Sequence, residues 1–150
     1  MINCIVAARY EIHGFDEEDF FDDEGIDPEQ VGEQAYALAR KGGVRILSDK
    51  DPNAFVLDKD REVIGALFTS WQGGEFSFDV AVSRAHQGRH IGAQLIEYAI
   101  DTFNDSSEAY GDDAKMEIDV INRRLVRHLE KQGFTVIKKQ GAHTLMRYTS

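Results

Sequence analysis

Between Glu75 and Val82 every second position holds a large apolar residue: Phe76, Phe78, Val80 and Val82, with Glu75, Ser77, Asp79 and Ala81 between them. A period of two predicts a strand with one buried face. A few residues on, the period changes. Ile91, Leu95, Ile96, Ala99, Ile100 and Phe103 fall on one side of a 3.6-residue repeat, which predicts a helix.

The same reading extends along the chain. Ile2 to Tyr10 is apolar and β-prone, a first strand. The acidic stretch FDEEDFFDDEGIDPEQ lacks a clean period in its first half and reads as a loop, with one helical turn around Phe20 and Phe21. Asp27-Pro28-Glu29-Gln30 is a helix start: Asp27 caps, Pro28 suits the first helical position and Gln30 completes a capping box. Val31, Ala35, Leu38 and Ala39 then mark an apolar face, and Gly42-Gly43 stop the helix. Val44 to Leu47 predicts a short extra strand. Ala54–Leu57 and Val63–Ser70 are strands joined at Lys59-Asp60, and Gly73-Gly74 turns the chain into Glu75–Val82. After the helix from Ile91, NDSSEAYGDD reads as a polar loop. Met116, Ile118 and Val120 mark a strand, Asn122 to Gln132 a helix, and Phe134–Lys138 with Thr144–Tyr148 two closing antiparallel strands. A β-meander feeding a strand–helix–strand unit predicts a single α/β domain over residues 1–150, a mixed sheet with helices on both faces.

Composition narrows the partners. The net charge is −10, from 17 Lys+Arg against 27 Asp+Glu, which argues against broad nucleic-acid or anionic-membrane binding. Cys4 is the only cysteine, and no zinc-ligand spacing occurs, so neither an internal disulfide nor a metal is expected. No apolar run reaches the roughly 18–20 residues of a membrane span. The first residues lack the basic-then-apolar pattern of a secretory signal. The expectation is a soluble, reduced, cytoplasmic protein. Cys4, Phe68 and Trp71 read as core.

Against that acidic background, the turn between Val82 and Ile91 concentrates Arg84, His86, Arg89 and His90 around Gly88 and Gly92. Free N–H groups at a helix start attract anions, and glycine lets a phosphate approach the backbone. Spacing alone goes no further than an anion near a helix start. The plain alternative is a strand–helix turn with solvated charges. The pattern is neither GxGxxG nor a Walker loop.

VSRAHQGRHIGAQLIEYAI (82–100) resembles motif A of the GCN5-related N-acetyltransferase (GNAT) superfamily: a strand ending in Val-x-Pro, then Gln/Arg-x-x-Gly-x-Gly/Ala, then a helix. Val82, Gln87, Gly92 and Ala93 match. Arg84 stands at the common proline and His90 at the first motif glycine, where a residue of ordinary φ/ψ still offers its N–H. MEIDVINRRLVRHLEKQGF (116–134) is similar to motif B, with Asn122, Gly133 and Phe134 at the family's spacing. The motif tyrosine falls on Leu129.

The resemblance implies a GNAT-like, mostly antiparallel central sheet and an N-acetyltransferase that moves an acetyl group from acetyl-CoA to an amine acceptor. Val80, Ala81 and Val82 would pair with the pantetheine arm. Gln87, Gly88, Arg89, His90, Ile91, Gly92 and Ala93 would hold the pyrophosphate, and Asn122 would contact the pantetheine. Among Arg123, Arg124 and Arg127, a solvated face competes with a contact to the adenosine 3′-phosphate.

The amine must be neutral to attack. Glu117 is the first choice of base, Asp79 the second and Asp119 the third; each can equally be an ion-paired sheet residue. His128 is a weak substitute for the missing tyrosine acid, and Tyr110 or Tyr148 could approach from elsewhere. Thiolate departure can also proceed without a side-chain acid. The segment DEEDFFDDE reads as a solvated loop or as an acidic lip selecting a cationic amine, a small molecule or a protein amine, with Phe20 and Phe21 as anchors. A homodimer is compatible with the resemblance. The rivals are a non-catalytic acyl-CoA-binding module and a protein-interaction module with a degenerate site.

Overall fold

Gly73 and Gly74 both adopt positive φ, +58° and +86°, as a two-residue hairpin turn requires. The chain therefore folds back on itself where the glycine pair predicts, and two long strands meet in unbroken register from Gln72↔Glu75 to Gly65↔Val82. The structure, a computed structural model, describes residues 10–42, 50–87, 90–107, 114–120 and 123–148. In chain order the elements are β1 (His13–Gly14), α1 (Glu18–Glu24), α2 (Pro28–Lys41), β2 (Asp51–Leu57), β3 (Val63–Gln72) and β4 (Glu75–Val82). A 3-10 turn (Arg84–His86), α3 (Ile91–Ser107), β5 (Lys115–Val120), α4 (Arg123–Lys131), β6 (Phe134–Gln140) and β7 (His143–Tyr148) follow.

The strands form one seven-stranded sheet in the order β1-β2-β3-β4-β5-β7-β6. Every neighbouring pair is antiparallel except β4–β5, which is parallel and joined by the α3 crossover. This is the mixed, mostly antiparallel sheet that the pattern and the resemblance imply. Helices cover both faces. Leu95, Ile96 and Phe103 of α3 and Leu129 of α4 bury with Phe76, Phe78, Met116 and Met146 on one face. Phe21 of α1 and Val31, Ala35 and Ala39 of α2 bury with Phe55, Phe68 and Ala81 on the other. Each fully buried Phe or Leu contributes roughly 1.5–3 kcal/mol. Trp71 stacks on Phe103 at 5.7 Å between ring centroids, and Phe68 is fully buried, so both belong to the core as expected.

Several expectations are corrected. The acidic stretch is helical from Glu18 to Glu24, not a loop with one helical turn. Phe20 and Phe21 pack against Phe55, and Gly25 at φ +63° closes the helix, so tertiary burial overrides the missing period. α3 runs on to Ser107, through the start of the expected polar loop. Its last turn is solvated, and Ser107 Oγ donates to the Asn104 carbonyl at 3.1 Å. Tyr10 is not in a strand, and residues 2–9 of the expected first strand lie outside the described residues, as does 44–47. A two-residue strand, His13–Gly14, pairs with β2 instead. Asp27 caps α2 as expected, its Oδ1 accepting from Glu29 N at 3.0 Å.

Candidate functional site

The parallel pair at the centre of the sheet is short. Its ladder holds Glu75↔Lys115, Phe76↔Met116 and Ser77↔Glu117. β4 then continues beside β3 to Val82, and β5 beside β7 to Val120. The two strands diverge after Ser77 and Glu117, so Val80, Ala81 and Val82 lie on a β4 edge that the β5 ladder does not reach. Backbone N–H and C=O groups on such an edge are what an extended ligand arm pairs with.

Past Val82 the chain turns tightly. Ser83 N donates to the Ile64 carbonyl at 2.8 Å, and His86 N to the Ser83 carbonyl at 2.9 Å. Among the described residues, His86 Nδ1 is a buried side-chain nitrogen without a hydrogen-bond partner. Gln87 and His90 are exposed, and Gly88 and Arg89 lie outside the described residues. His90 has φ +65°. This corrects the expectation of an ordinary conformation: the turn keeps the left-handed geometry that suits the motif glycine, with an L-residue in it. Histidine tolerates that region better than most residues but still carries strain. The substitution His90→Gly should therefore stabilise the fold by about 1 kcal/mol, read as a raised midpoint in urea denaturation.

α3 begins immediately afterwards. Gln94 N donates to the His90 carbonyl at 3.0 Å, so the N–H groups of Ile91, Gly92 and Ala93 precede the first bond of the helix and have no acceptor inside it. Ile91 is buried and pins this end to the sheet. Gly65 lies directly beneath; a Cβ there would come within 2.8 Å of Ile91 Cγ2 and 3.2 Å of Leu95 Cδ1. That missing side chain lets the helix start sit close against β3, beside the end of β4. No sequence reading marks Gly65, because the contact spans 26 residues of chain.

The three carboxylate candidates share one face of the sheet, opposite α3, and all three are ion-paired. Arg147 donates to Glu117 Oε1 through Nε at 2.9 Å and Nη2 at 2.5 Å. Lys50 Nζ lies 2.8 Å from Asp79 Oδ2, with side chains only 11% and 22% exposed. His143 Nδ1 lies 2.9 Å from Asp119 Oδ2, both well exposed. Sequence reasoning missed Lys50, Arg147 and His143. Alternation puts Arg147 and Glu117 on a common face once β5 and β7 are paired, but only the register Glu117↔Arg147 brings them together. Tyr36 of α2 adds a phenol on this side, its ring 5.2 Å from that of Phe68 and its hydroxyl 3.5 Å from the Lys50 carbonyl. Burial, and then the charge of Asp51, push that phenol above its ordinary value, so it stays protonated at neutral pH.

Residues 50–136, more than half of the chain, match the model of the acetyltransferase (GNAT) domain. The chain belongs to the GNAT acetyltransferase family. No curated protein matches it. Its fold is similar to that of solved GNAT structures. The acetyltransferase of GNAT family from Streptococcus pneumoniae is 14% identical, with a TM-score of 0.63 over 93% of this chain and 98% of that one. The PaiA N-acetyltransferase from Thermoplasma acidophilum, solved in complex with coenzyme A, is 14% identical, with a TM-score of 0.56 over 89% and 80%. Nourseothricin acetyltransferase is 17% identical, with a TM-score of 0.51 over 67% of this chain; the chain spans 65% of that protein.

Departures from the GNAT motifs have structural counterparts. Leu129, at the motif tyrosine, is fully buried in the core. The alternatives for an acid lie elsewhere: His128 Nε2 is 3.0 Å from Gln132 Nε2, and Tyr148 packs on Phe103 and Phe134. Tyr110 and Asn122 lie outside the described residues, whereas Arg123 and Arg127 are exposed. The acidic helix α1 is anchored away from the strand divergence. Its rings meet β2, and Arg61 of the β2–β3 turn bonds Glu24; β2 is separated from β4 by β3. No group of three or more His, Cys, Asp or Glu able to hold a metal, and no helix long and apolar enough to cross a membrane, occurs among the described residues.

Proposed function

We propose that residues 1–150 form a single GNAT domain that transfers the acetyl group of acetyl-CoA to an amine by direct attack. The observation that carries this reading is the short β4–β5 ladder, which ends at Ser77↔Glu117 and, among the described residues, leaves the rest of β4 unpaired on that edge up to the turn that precedes α3. Three further features support it: the N–H groups of Ile91, Gly92 and Ala93, which precede the first bond of the helix, the positive φ at His90, and, among the described residues, the buried His86 Nδ1 without a partner. Backbone donors at a helix N-terminus suit a pyrophosphate. The open β4 edge at Val80 to Val82 suits the amides of the pantetheine arm.

In this reading Glu117 is the base. Its carboxylate is 19% exposed beside the vertex where β4 and β5 part, and both Arg147 bonds fall on Oε1. Oε2 takes a proton from the acceptor ammonium, directly or through water. The neutral nitrogen then attacks the thioester carbonyl carbon, the C–S bond breaks, the nitrogen gives up its second proton to water, and the departing thiolate takes one up, so that one proton in net remains with Glu117 and passes to solvent. A second reading, a non-catalytic acyl-CoA-binding module, draws on the pairing of both leading carboxylates with cations and on the burial of Leu129.

Calorimetric titration of acetyl-CoA, with 3′-dephospho-CoA alongside, tests the common basis of both. Binding at micromolar concentration is expected, weakened in the dephospho form if a cation reaches the 3′-phosphate. No heat at millimolar coenzyme overturns both and returns the protein-interaction reading. Thiol release on adding amines then separates transferase from binding module.

A further inference from the structure

One row across the sheet is polar from strand to strand. Ser70 of β3 registers with Ser77 of β4, Ser77 with Glu117 of β5, and Glu117 with Arg147 of β7. The row lies on the face opposite α3, and the strand divergence begins at its middle. α2 packs over β2, β3 and β4, and α4, which meets β5 and β6, contributes its buried Leu129 to the opposite face. The helix of the polar face thus packs mainly over β2, β3 and β4, on the far side of the vertex from β7.

The charges on this floor alternate in sign. Lys50–Asp79 sits one pleat from Ser77 along β4, and Arg147–Glu117 beside Ser77 on β5. A polycationic amine would find both carboxylates already paired, Asp79 with Lys50 and Glu117 with Arg147, and no surplus of negative charge to hold it. An aryl or alkyl amine seated on the row itself would cover serines and ion pairs and strand them without water. An α-amino acid carries ammonium and carboxylate on one carbon. Its two charges are therefore about as close as those of Arg147 and Glu117, which lie within hydrogen-bond distance of each other.

We infer that the acceptor is a free α-amino acid, its ammonium taken by Glu117 and its carboxylate by the Arg147 guanidinium, with Lys50–Asp79 as a flanking pair for a polar side chain. The guanidinium is suited to this exchange: Nε and Nη2 both serve one oxygen of Glu117, and its side chain is 40% exposed. A carboxylate can engage its outer edge in the forked geometry that arginine favours. This inference rests on the proposed acetyl transfer and replaces the cationic acceptor suggested by the acidic segment, which the fold anchors on β2.

The test compares each proteinogenic L-amino acid with its methyl ester, and with spermidine, by acetyl-CoA-dependent thiol release and by calorimetry on the protein saturated with coenzyme A. At least one free amino acid should be preferred to its ester by about 10-fold or more in KM. Arg147→Gln should bring the ratio of acid to ester to within about 2-fold, and Arg147→Lys should restore part of it. A merely structural arginine would lower both substrates together and leave the ratio unchanged, which would overturn the inference. Equal use of acid and ester, or preference for spermidine, would overturn the acceptor class while leaving acetyl transfer intact. A chain that binds acetyl-CoA yet releases thiol with none of these amines, and binds no amino acid in the calorimeter, would overturn the acceptor class and favour the binding module.

Discussion

Gly92→Val should raise the dissociation constant for acetyl-CoA by about 100-fold or more, with the thermal midpoint shifted by no more than a few degrees. The two halves of this expectation have separate causes. A Cβ at position 92 would meet Val82 Cγ2 at 3.6 Å, an ordinary contact, and valine is no worse than glycine inside a helix. The fold therefore has room for the change. The added methyl groups would stand between the end of β4 and the first turn of α3, where the proposed function has the coenzyme phosphates approach the N–H groups. Each charge-assisted hydrogen bond lost there is worth about 1.5–3 kcal/mol, so losing one or two accounts for the expected drop. Calorimetry reads the affinity and thermal denaturation the fold. Unchanged affinity would remove the phosphate-turn assignment.

Glu117→Gln should lower kcat about 100-fold or more, within the range for removal of a general base, and leave acetyl-CoA affinity within a few-fold. Glutamine keeps the shape and can still accept from Arg147, but it cannot take the acceptor proton. Stability should fall by less than about 1 kcal/mol, because Arg147 is 40% exposed and water replaces part of the lost pairing. Steady-state rates for Glu117→Gln and Asp79→Asn, measured together, distinguish the two carboxylates. A normal rate in Glu117→Gln with a collapsed rate in Asp79→Asn would move the base to Asp79. Normal rates in both would leave proton removal to solvent.

Both expectations turn on residues that sequence reasoning selected, yet their surroundings came from elsewhere in the chain. Arg147 lies 30 residues from Glu117 and Lys50 lies 29 from Asp79, beyond the reach of any local period. The acidic segment shows the same limit from the other side. Read alone it has no apolar face, but Phe55 supplies the surface that Phe20 and Phe21 cover, and it becomes α1. The backbone at His90 illustrates a third case: the sign of φ belongs to the whole turn between β4 and α3, not to the residue occupying it.

Sequence by itself determined the element order from β2 to β7, the hairpin at Gly73-Gly74, the cap at Asp27 and the family. These depend on periods of two and 3.6, on turn residues and on short motifs, all set by neighbours a few positions apart. Tertiary structure alone decided where β4 and β5 part, which cation holds each carboxylate, how closely α3 settles over Gly65, and on which strand the acidic helix rests. These depend on strand register and on packing between distant segments, where a shift of one residue would turn every side chain of a strand to the opposite face.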